Sequence, residues 1–565
     1  MKFTEFTYKR PDVSQIQAQM TDAIERFQNA TNAQTQLDIV HEINAIRSHF
    51  SSMGSIAGIR YSIDTNNAQY EEEQSFFDDN GPLLGDVTTK FYQALMDSVF
   101  INELQEQLGK HFFDIASISV RTFDPCIIEE LKRENHLSSE YTKLLASAKI
   151  MFEGEERNLS NMVPFEMSPD RTMRQRAATT KWEFLASKQT ELDHIYDELV
   201  KVRHTMSQKL GFENFTELGY LRMLRVDYNA SMVADYRQQV LETVTPLAAE
   251  LRRRQSHLIG IDHLKFYDLN AHFKSGNPKP KGDPEWILAN GKQMYRELST
   301  ETAEFFDFMV NNELMDLLTR KGKAGGGYCT FIEDYKAPFI FSNFNGTADD
   351  INVLTHEAGH AFQVYMSRDL SMPEYYWPSA EAAEIHSMSM EFLAWPWMNR
   401  FFGEDVDKFK YEHLSGAILF LPYGVSVDEF QHYVYANPSA SPEERRQMWR
   451  KIEQKYMPWI DYDGNEYLEN GGFWQKQAHI FMSPFYYIDY TLAQICAFQF
   501  WQRANQDRQK ALNDYIRLCK VGGSKPFLQL VEYAELESPF NKNCLQKVVQ
   551  PVAKYLQSIS DDALR

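Results

Sequence analysis

Two histidines and a glutamate within NGTADDINVLTHEAGHAFQVY carry the strongest chemical signal in the chain: His356, Glu357 and His360. On an α-helix His356 and His360 lie four residues apart on one face, so both imidazoles can reach a single metal ion. Glu357 sits beside the first, placed to polarise a water at that ion. The mundane alternative is two incidental histidines on a solvated helix. A catalytic zinc ion needs three protein ligands and one open position. The segment PSAEAAEIHSMSMEFL offers Glu381, Glu384 and Glu391 on one helical face, and Glu384 follows His360 by 24 residues. A short return loop can bring that second helix against the first. Glu384 is the best of the three candidates; Glu381 and Glu391 read either as groups that orient the imidazole N–H donors or as surface carboxylates. A third segment, QKQAHIFMSPFYYIDYTLAQ, sets His479 ahead of Tyr487 and Tyr490. Helical YxxY with an upstream histidine can present O–H and N–H donors to an oxyanion, although the same residues also read as an aromatic stripe packing a core.

These groups need elements to hold them. Asp349 or Thr347 is expected to cap the helix of the first motif, which then runs past Gly359 to about Met366. Immediately before it, GGGYCTFIEDYKAPFIFSNF (325–344) combines glycines with β-branched and aromatic residues and predicts a hairpin. An edge strand there, from Gly326, Gly327 and Tyr328, can bind an extended peptide through main-chain hydrogen bonds. Cys329 within it reads as a small buried residue, and His386 as a residue lining a substrate pocket.

The remaining chain reads as helices. Ile16, Met20, Ile24 and Phe27 form one apolar stripe, and Leu37, Val40, Ile43, Ile46 and Phe50 a second. Phe91 to Leu108 forms a third, stopped by Gly109. Residues 274–284, KSGNPKPKGDP, are a loop, Arg252–Arg254 a solvated helix face, and Pro551 a kink in the last helix. DYDGN at 461–465 has its glycine misplaced for a calcium loop. No internal repeat is visible. The fold class is mostly α with one small β element.

The 565 residues include 58 basic and 79 acidic side chains, a net charge of −21, with 43% hydrophobic and 14% aromatic residues. That composition is globular. The acidic balance argues against nucleic acid and anionic membranes as partners. Five scattered cysteines make neither a disulfide framework nor a thiolate metal cluster. The opening MKFTEFTYKRPDV lacks a signal-peptide core, and no run is long enough to span a membrane. A cytoplasmic location is the simplest expectation.

Taken together, LTHEAGHAFQ, AAEIHSMSMEF, GGGYCTFI and HIFMSPFYYIDY resemble the M3 family of zinc oligopeptidases, in the oligoendopeptidase F and Pz-peptidase branch. The likeness spans about residues 200–560, and the N-terminal region is similar to compact members of that branch. It implies a two-lobed helical body around a deep substrate channel, with residues 1–170 as a lobe and lid and 171–565 as the catalytic region. It implies one zinc ion held by His356, His360 and Glu384, Glu357 as general base, and His479 with tyrosines stabilising the tetrahedral intermediate. The choice among Tyr486, Tyr487 and Tyr490 stays open, because the His-to-Tyr stretch is one residue shorter than in the thimet oligopeptidase branch. The expected activity is endopeptidase cleavage of short unstructured peptides by a monomer or homodimer. The rivals are a peptidyl-dipeptidase or carboxypeptidase with the same metal site, and a catalytically silent peptide-binding body.

Overall fold

Apolar stripes, each opened by a side-chain cap, build the N-terminal third of the computed structural model, which describes residues 1–564. Helix α1 (Val13–Gln28) buries Ile16, Met20, Ile24 and Phe27, and Asp12 accepts the Gln15 N–H at its start. Helices α2 (Ala33–Ile63) and α3 (Ala68–Met96) begin on Asn32 and Asn67 in the same way, which satisfies first-turn N–H groups that have no helical partner. The stripe from Phe91 to Leu108 is two helices rather than one. Ser98 Oγ accepts the Phe100 N–H at 3.0 Å, a local turn that competes with the helix. A short helix, Ile101–Leu108, then ends on Gly109 at φ +85°. Met20, Phe27, Ile43, Phe91 and Leu95 share one core, closed by Met372 and Tyr375 from far along the chain. A much larger core runs from Phe3 to Leu564 and includes α4 (Ile128–Ala146) through Leu137 and Tyr141. The hairpin β1 (Ile150–Phe152) and β2 (Glu155–Arg157) covers a third, small cluster.

The expected hairpin forms from β4 (Tyr328–Ile332) and β5 (Ala337–Phe344), with Tyr328 opposite Phe341. A further strand, β3 (Met315–Leu318), pairs parallel to β5, giving the order β3-β5-β4. Its four residues are too few to show an alternation that sequence could reveal. β5 is central and almost wholly buried, so its apolar run is that of a strand covered on both faces. β4 is the edge. Helix α2 covers its far end: Ser55 Oγ donates to the Phe331 carbonyl at 3.3 Å, and Ser52 Oγ accepts the Asp334 N–H at 2.8 Å. Residues Gly325–Thr330 instead open into a cavity of about 930 Å³, walled opposite by α2, α3 and α4 through Ser55, Gly58, Asp78 and Ser139.

After the sheet come α5 (Asp349–Ser367), α6 (Ala380–Leu393), α7 (Val406–Ala436), α8 (Tyr487–Gln506), α9 (Arg508–Val521) and α10 (Cys544–Ser558). α10 continues through Pro551. Arg252–Arg254 is not a solvated face. Arg254 donates to the Leu556 carbonyl at 2.6 Å and to Asp561 at 2.9 Å, tying down the end of α10, and Arg252 donates to the Leu269 carbonyl at 2.9 Å. Only Arg253 is exposed. No described helix is long and apolar enough to cross a membrane.

Candidate metal centre and active site

α5 starts without the expected cap. Asp349 is its first residue and Thr347 donates to Asn345 instead. The entry is fixed by Asp350, whose carboxylate accepts the backbone N–H groups of Asn345 and Gly346, each at 2.9 Å. Nine residues beyond Asp350, Gly359 meets α6. A Cβ at that position would lie 2.7 Å from the His386 carbonyl oxygen and 2.7 Å from the Ser387 Cα. Glycine inside a helix costs about 0.5–1 kcal/mol relative to alanine, and here it permits the backbone contact that sets Glu384 against the two histidines.

His356, His360 and Glu384 converge as a result. Their ligand atoms all lie within 4.8 Å of one another. Nε2 of His356 is 3.2 Å, and Nε2 of His360 3.3 Å, from the same oxygen, Glu384 Oε2. Two imidazole nitrogens and one carboxylate oxygen form a donor set that fits a divalent metal. Burial opposes the Glu384 charge, but His360 and His356 hold its carboxyl well below the usual range. The other Glu384 oxygen accepts the Tyr486 hydroxyl, and Ser387 Oγ donates to Oε2 at 2.7 Å.

The two alternative glutamates separate. Glu391 Oε1 lies 2.7 Å from His356 Nδ1, and its Oε2 lies 2.6 Å from His413 Nε2. His413 Nδ1 in turn accepts the Trp395 indole N–H at 2.8 Å. Glu391 therefore orients the His356 imidazole from behind. Glu381 faces away from the histidines, toward Arg225 and Asp489, and neither of its buried oxygens has a hydrogen-bond partner among the described residues.

Glu357 is 5% exposed. Its Oε2 is buried and free of hydrogen bonds among the described residues, and a Cβ on Gly327 would lie 3.2 Å from its Oε1. The glycine stretch thus runs directly over this carboxylate. Burial raises the Glu357 pKa above the ordinary carboxylate value, against the pull of His356 and His360. Gly325 and Gly326 line the cavity with Tyr328, whose ring stacks on Phe341 at 4.8 Å.

The third segment joins the site at its rim. Tyr423 donates to Gln477 Oε1 at 2.7 Å, which turns the Gln477 amide N–H toward His479 Nδ1 at 2.9 Å. His479 then carries its proton on Nε2, 3.1 Å from the Tyr490 hydroxyl. Burial lowers the His479 pKa to about 4, so the ring is neutral. Tyr490 accepts from His479 and keeps its own O–H to donate. Tyr486 is committed to Glu384, and Tyr487 packs edge-on against Phe420 and Tyr423. His386 does not line the cleft: it is 1% exposed, with Nδ1 3.5 Å from Cys519 Sγ and its ring edge-on to Tyr515.

A model of peptidase family M3 matches residues 289–549, and one of the peptidase M3 N-terminal domain matches residues 3–123. A solved structure of Pz peptidase A with an inhibitor is 56% identical, has a TM-score of 0.99, and covers 99% of this chain and 100% of its own. The chain belongs to peptidase family M3. It is similar to group B oligopeptidase PepB of Streptococcus agalactiae serotype III (strain NEM316), 20% identical over 503 residues, which are 83% of this chain and 78% of PepB. An oligoendopeptidase F homolog of Borreliella burgdorferi (strain ATCC 35210 / DSM 4680 / CIP 102532 / B31) is 24% identical over 353 residues, 59% of this chain and 54% of that protein. This M3 peptidase is a metallopeptidase, mostly helical with a small strand element. Sequence reasoning missed four supporting residues in it: His413, Trp395, Tyr423 and Gln477. Gln477 lay within a quoted motif, two residues before His479; the other three carry no local signal.

Proposed function

We propose that this M3 peptidase is a zinc endopeptidase that hydrolyses internal bonds of short, unstructured peptides. The observation that carries the reading is Glu357: a buried carboxylate with one unpartnered oxygen, beside three convergent metal-binding atoms and under the glycine stretch that opens into the cavity. His356, His360 and Glu384 would hold the zinc ion, which supplies Lewis acidity to the scissile carbonyl and acidity to the attacking water. Glu357 accepts the proton of that water and passes it to the departing amine; its raised pKa brings it closer to the pH at which it must do both. Tyr490, fixed by the His479 N–H, donates to the carbonyl oxygen as negative charge grows there, a stabilisation stronger in the transition state than in the bound substrate. The exposed edge at Gly325–Thr330 holds the peptide in extended form by main-chain bonds, which tolerates varied side chains. Residues 1–170 act as the lid over 171–565, and a cavity of about 930 Å³ admits an extended peptide while a folded domain stays outside.

The test is Glu357→Gln with a quenched fluorescent peptide blocked at both ends. The variant retains one zinc ion per chain and loses cleavage by a factor of about 10³ or more. Normal cleavage by the variant removes Glu357 as base. Cleavage by wild type only when the peptide has a free end replaces the endopeptidase with an exopeptidase.

A further inference from the structure

We infer that Lys476 is the receptor for a carboxylate of the bound peptide. The inference deepens the peptidase reading, on which it rests, because it takes the cavity beside Gly325–Thr330 as the place where the peptide lies.

Three lysines line that cavity: Lys181, Lys323 and Lys476. Two of them are already engaged. Lys323 Nζ is bound to the Asp316 carboxylate at 2.6 Å and to the carbonyls of Asp316, Leu318 and Ser342. Lys181 pairs with Glu166 at 2.7 Å. Lys476 has neither an ion pair nor a side-chain hydrogen bond among the described residues. Its ammonium instead stands 4.1 Å from the Phe473 ring centroid and 5.8 Å from that of Trp182, an aromatic setting that holds a cation in place without neutralising it. The cavity's own acid is occupied: Asp78 accepts from Ser139 at 2.7 Å and from Gln74 at 2.9 Å. The Lys476 side chain is exposed to the cavity; the protein crowded around it and the nearby Lys181 bring its pKa down to about 8, against the pull of Glu166 and Glu453, which favour the charge without pairing with it.

The position matters for catalysis. Lys476 precedes His479 by three residues, and three residues of chain reach at most about 11 Å. A carboxylate on Lys476 therefore belongs to a residue near the scissile bond. A short peptide offers two kinds of carboxylate, its free C-terminus and an Asp or Glu side chain, and an ammonium point charge accepts either. A protein with 79 acidic residues repels such peptides at long range, so a local unpaired cation decides which of them dwell.

The experiment compares equal-length peptides that differ in one carboxylate: free acid against C-terminal amide, and Glu against Gln at each position. Binding of the labelled peptides to the intact protein is read by fluorescence anisotropy, and cleavage in parallel. At least one carboxylate-bearing member binds about tenfold tighter than its neutral twin, and the margin shrinks as salt is raised. Lys476→Met abolishes the margin while the neutral peptides bind within about twofold of wild type, and Lys476→Arg keeps it. The acid-against-amide arm identifies a C-terminal carboxylate, and the Glu-against-Gln arm a side chain. Equal binding of every pair by wild type, or an undiminished margin in Lys476→Met, overturns the inference. Because the anisotropy needs no turnover, a protein that binds with this preference but cleaves nothing would overturn the peptidase reading alone.

Discussion

His356 Nδ1 and Glu391 Oε1 stand 2.7 Å apart, and that single contact decides which imidazole nitrogen is left to face His360 and Glu384. With the Nδ1 proton held by Glu391, the lone pair is on Nε2, the atom nearest Glu384. His413, itself fixed by Trp395, takes the other Glu391 oxygen, so the carboxylate cannot turn away. Partners of this kind typically set metal affinity by 10- to 100-fold. Glu391→Gln is expected to weaken zinc binding by about that factor, measured by competition with a chelator, with helical content unchanged. Wild-type affinity in this variant would show that Glu391 merely fills space.

Gly359 sets the spacing that this chemistry needs. Gly359→Ala puts a methyl 2.7 Å from two backbone atoms of α6, and backbone cannot swing aside as a side chain can. Overpacking of this kind costs about 1–3 kcal/mol, and because the strain falls between the helices carrying His360 and Glu384, zinc affinity drops together with stability. Chemical denaturation of the metal-free protein beside a zinc titration checks both. A variant that is as stable as wild type and binds zinc equally would mean that the helices separate freely.

Tyr486 and Tyr490 neighbour each other, with ring centroids 5.1 Å apart, yet their hydroxyls have different tasks. Tyr486 bonds to Glu384, so Tyr486→Phe should lower zinc affinity. Tyr490 accepts from His479, so Tyr490→Phe should leave zinc content intact and reduce kcat about 10²–10³-fold, the usual cost of losing an oxyanion donor. Zinc content and kcat measured on both variants separate the roles. Full kcat in Tyr490→Phe would move the oxyanion task elsewhere.

Sequence made the convergence of His356 and His360 legible because a helix converts a four-residue spacing into one face, and nothing else about the chain is needed to see it. It placed Glu384 in the right region for the same reason. It could not separate Glu381, Glu384 and Glu391, which share that face, because their roles depend on what stands opposite. The decisive partners, His413 and Asp489, lie 22 and 108 residues from the glutamates they neighbour. The tyrosines stayed ambiguous because hydroxyl roles follow from a relay through Tyr423, Gln477 and His479. His386 was misread since a polar type close to a candidate ligand suggests a pocket, whereas a helix two residues on has turned by about 200° and points to the opposite side, here into Cys519 and Tyr515.

Glu381 has a measurable consequence of its own. Asp489 Oδ1 accepts from Arg225 at 2.7 Å and from the Tyr228 hydroxyl at 3.3 Å, while Asp489 Oδ2, both Glu381 oxygens, and Arg225 Nε and Nη1 are buried without partners among the described residues. One buried guanidinium stands near two carboxyls, so burial, reinforced by Asp489 and only partly opposed by Arg225, raises the Glu381 pKa above its ordinary value of 4.5. The folded state therefore holds a proton that the unfolded state releases. The resulting stability is fully present below pH 4.5 and is lost as pH rises toward the raised folded value, at about 1.4 kcal/mol per pH unit across that window. Glu381→Gln is a neutral isostere and removes this dependence. Thermal melting of wild type and Glu381→Gln at pH 5.5, 7 and 8.5 is expected to show the variant gaining on wild type as pH increases, with the lead largest at pH 8.5. Parallel curves for the two proteins would mean that Glu381 ionises in the fold as freely as in the open chain, and that Arg225 neutralises both acids.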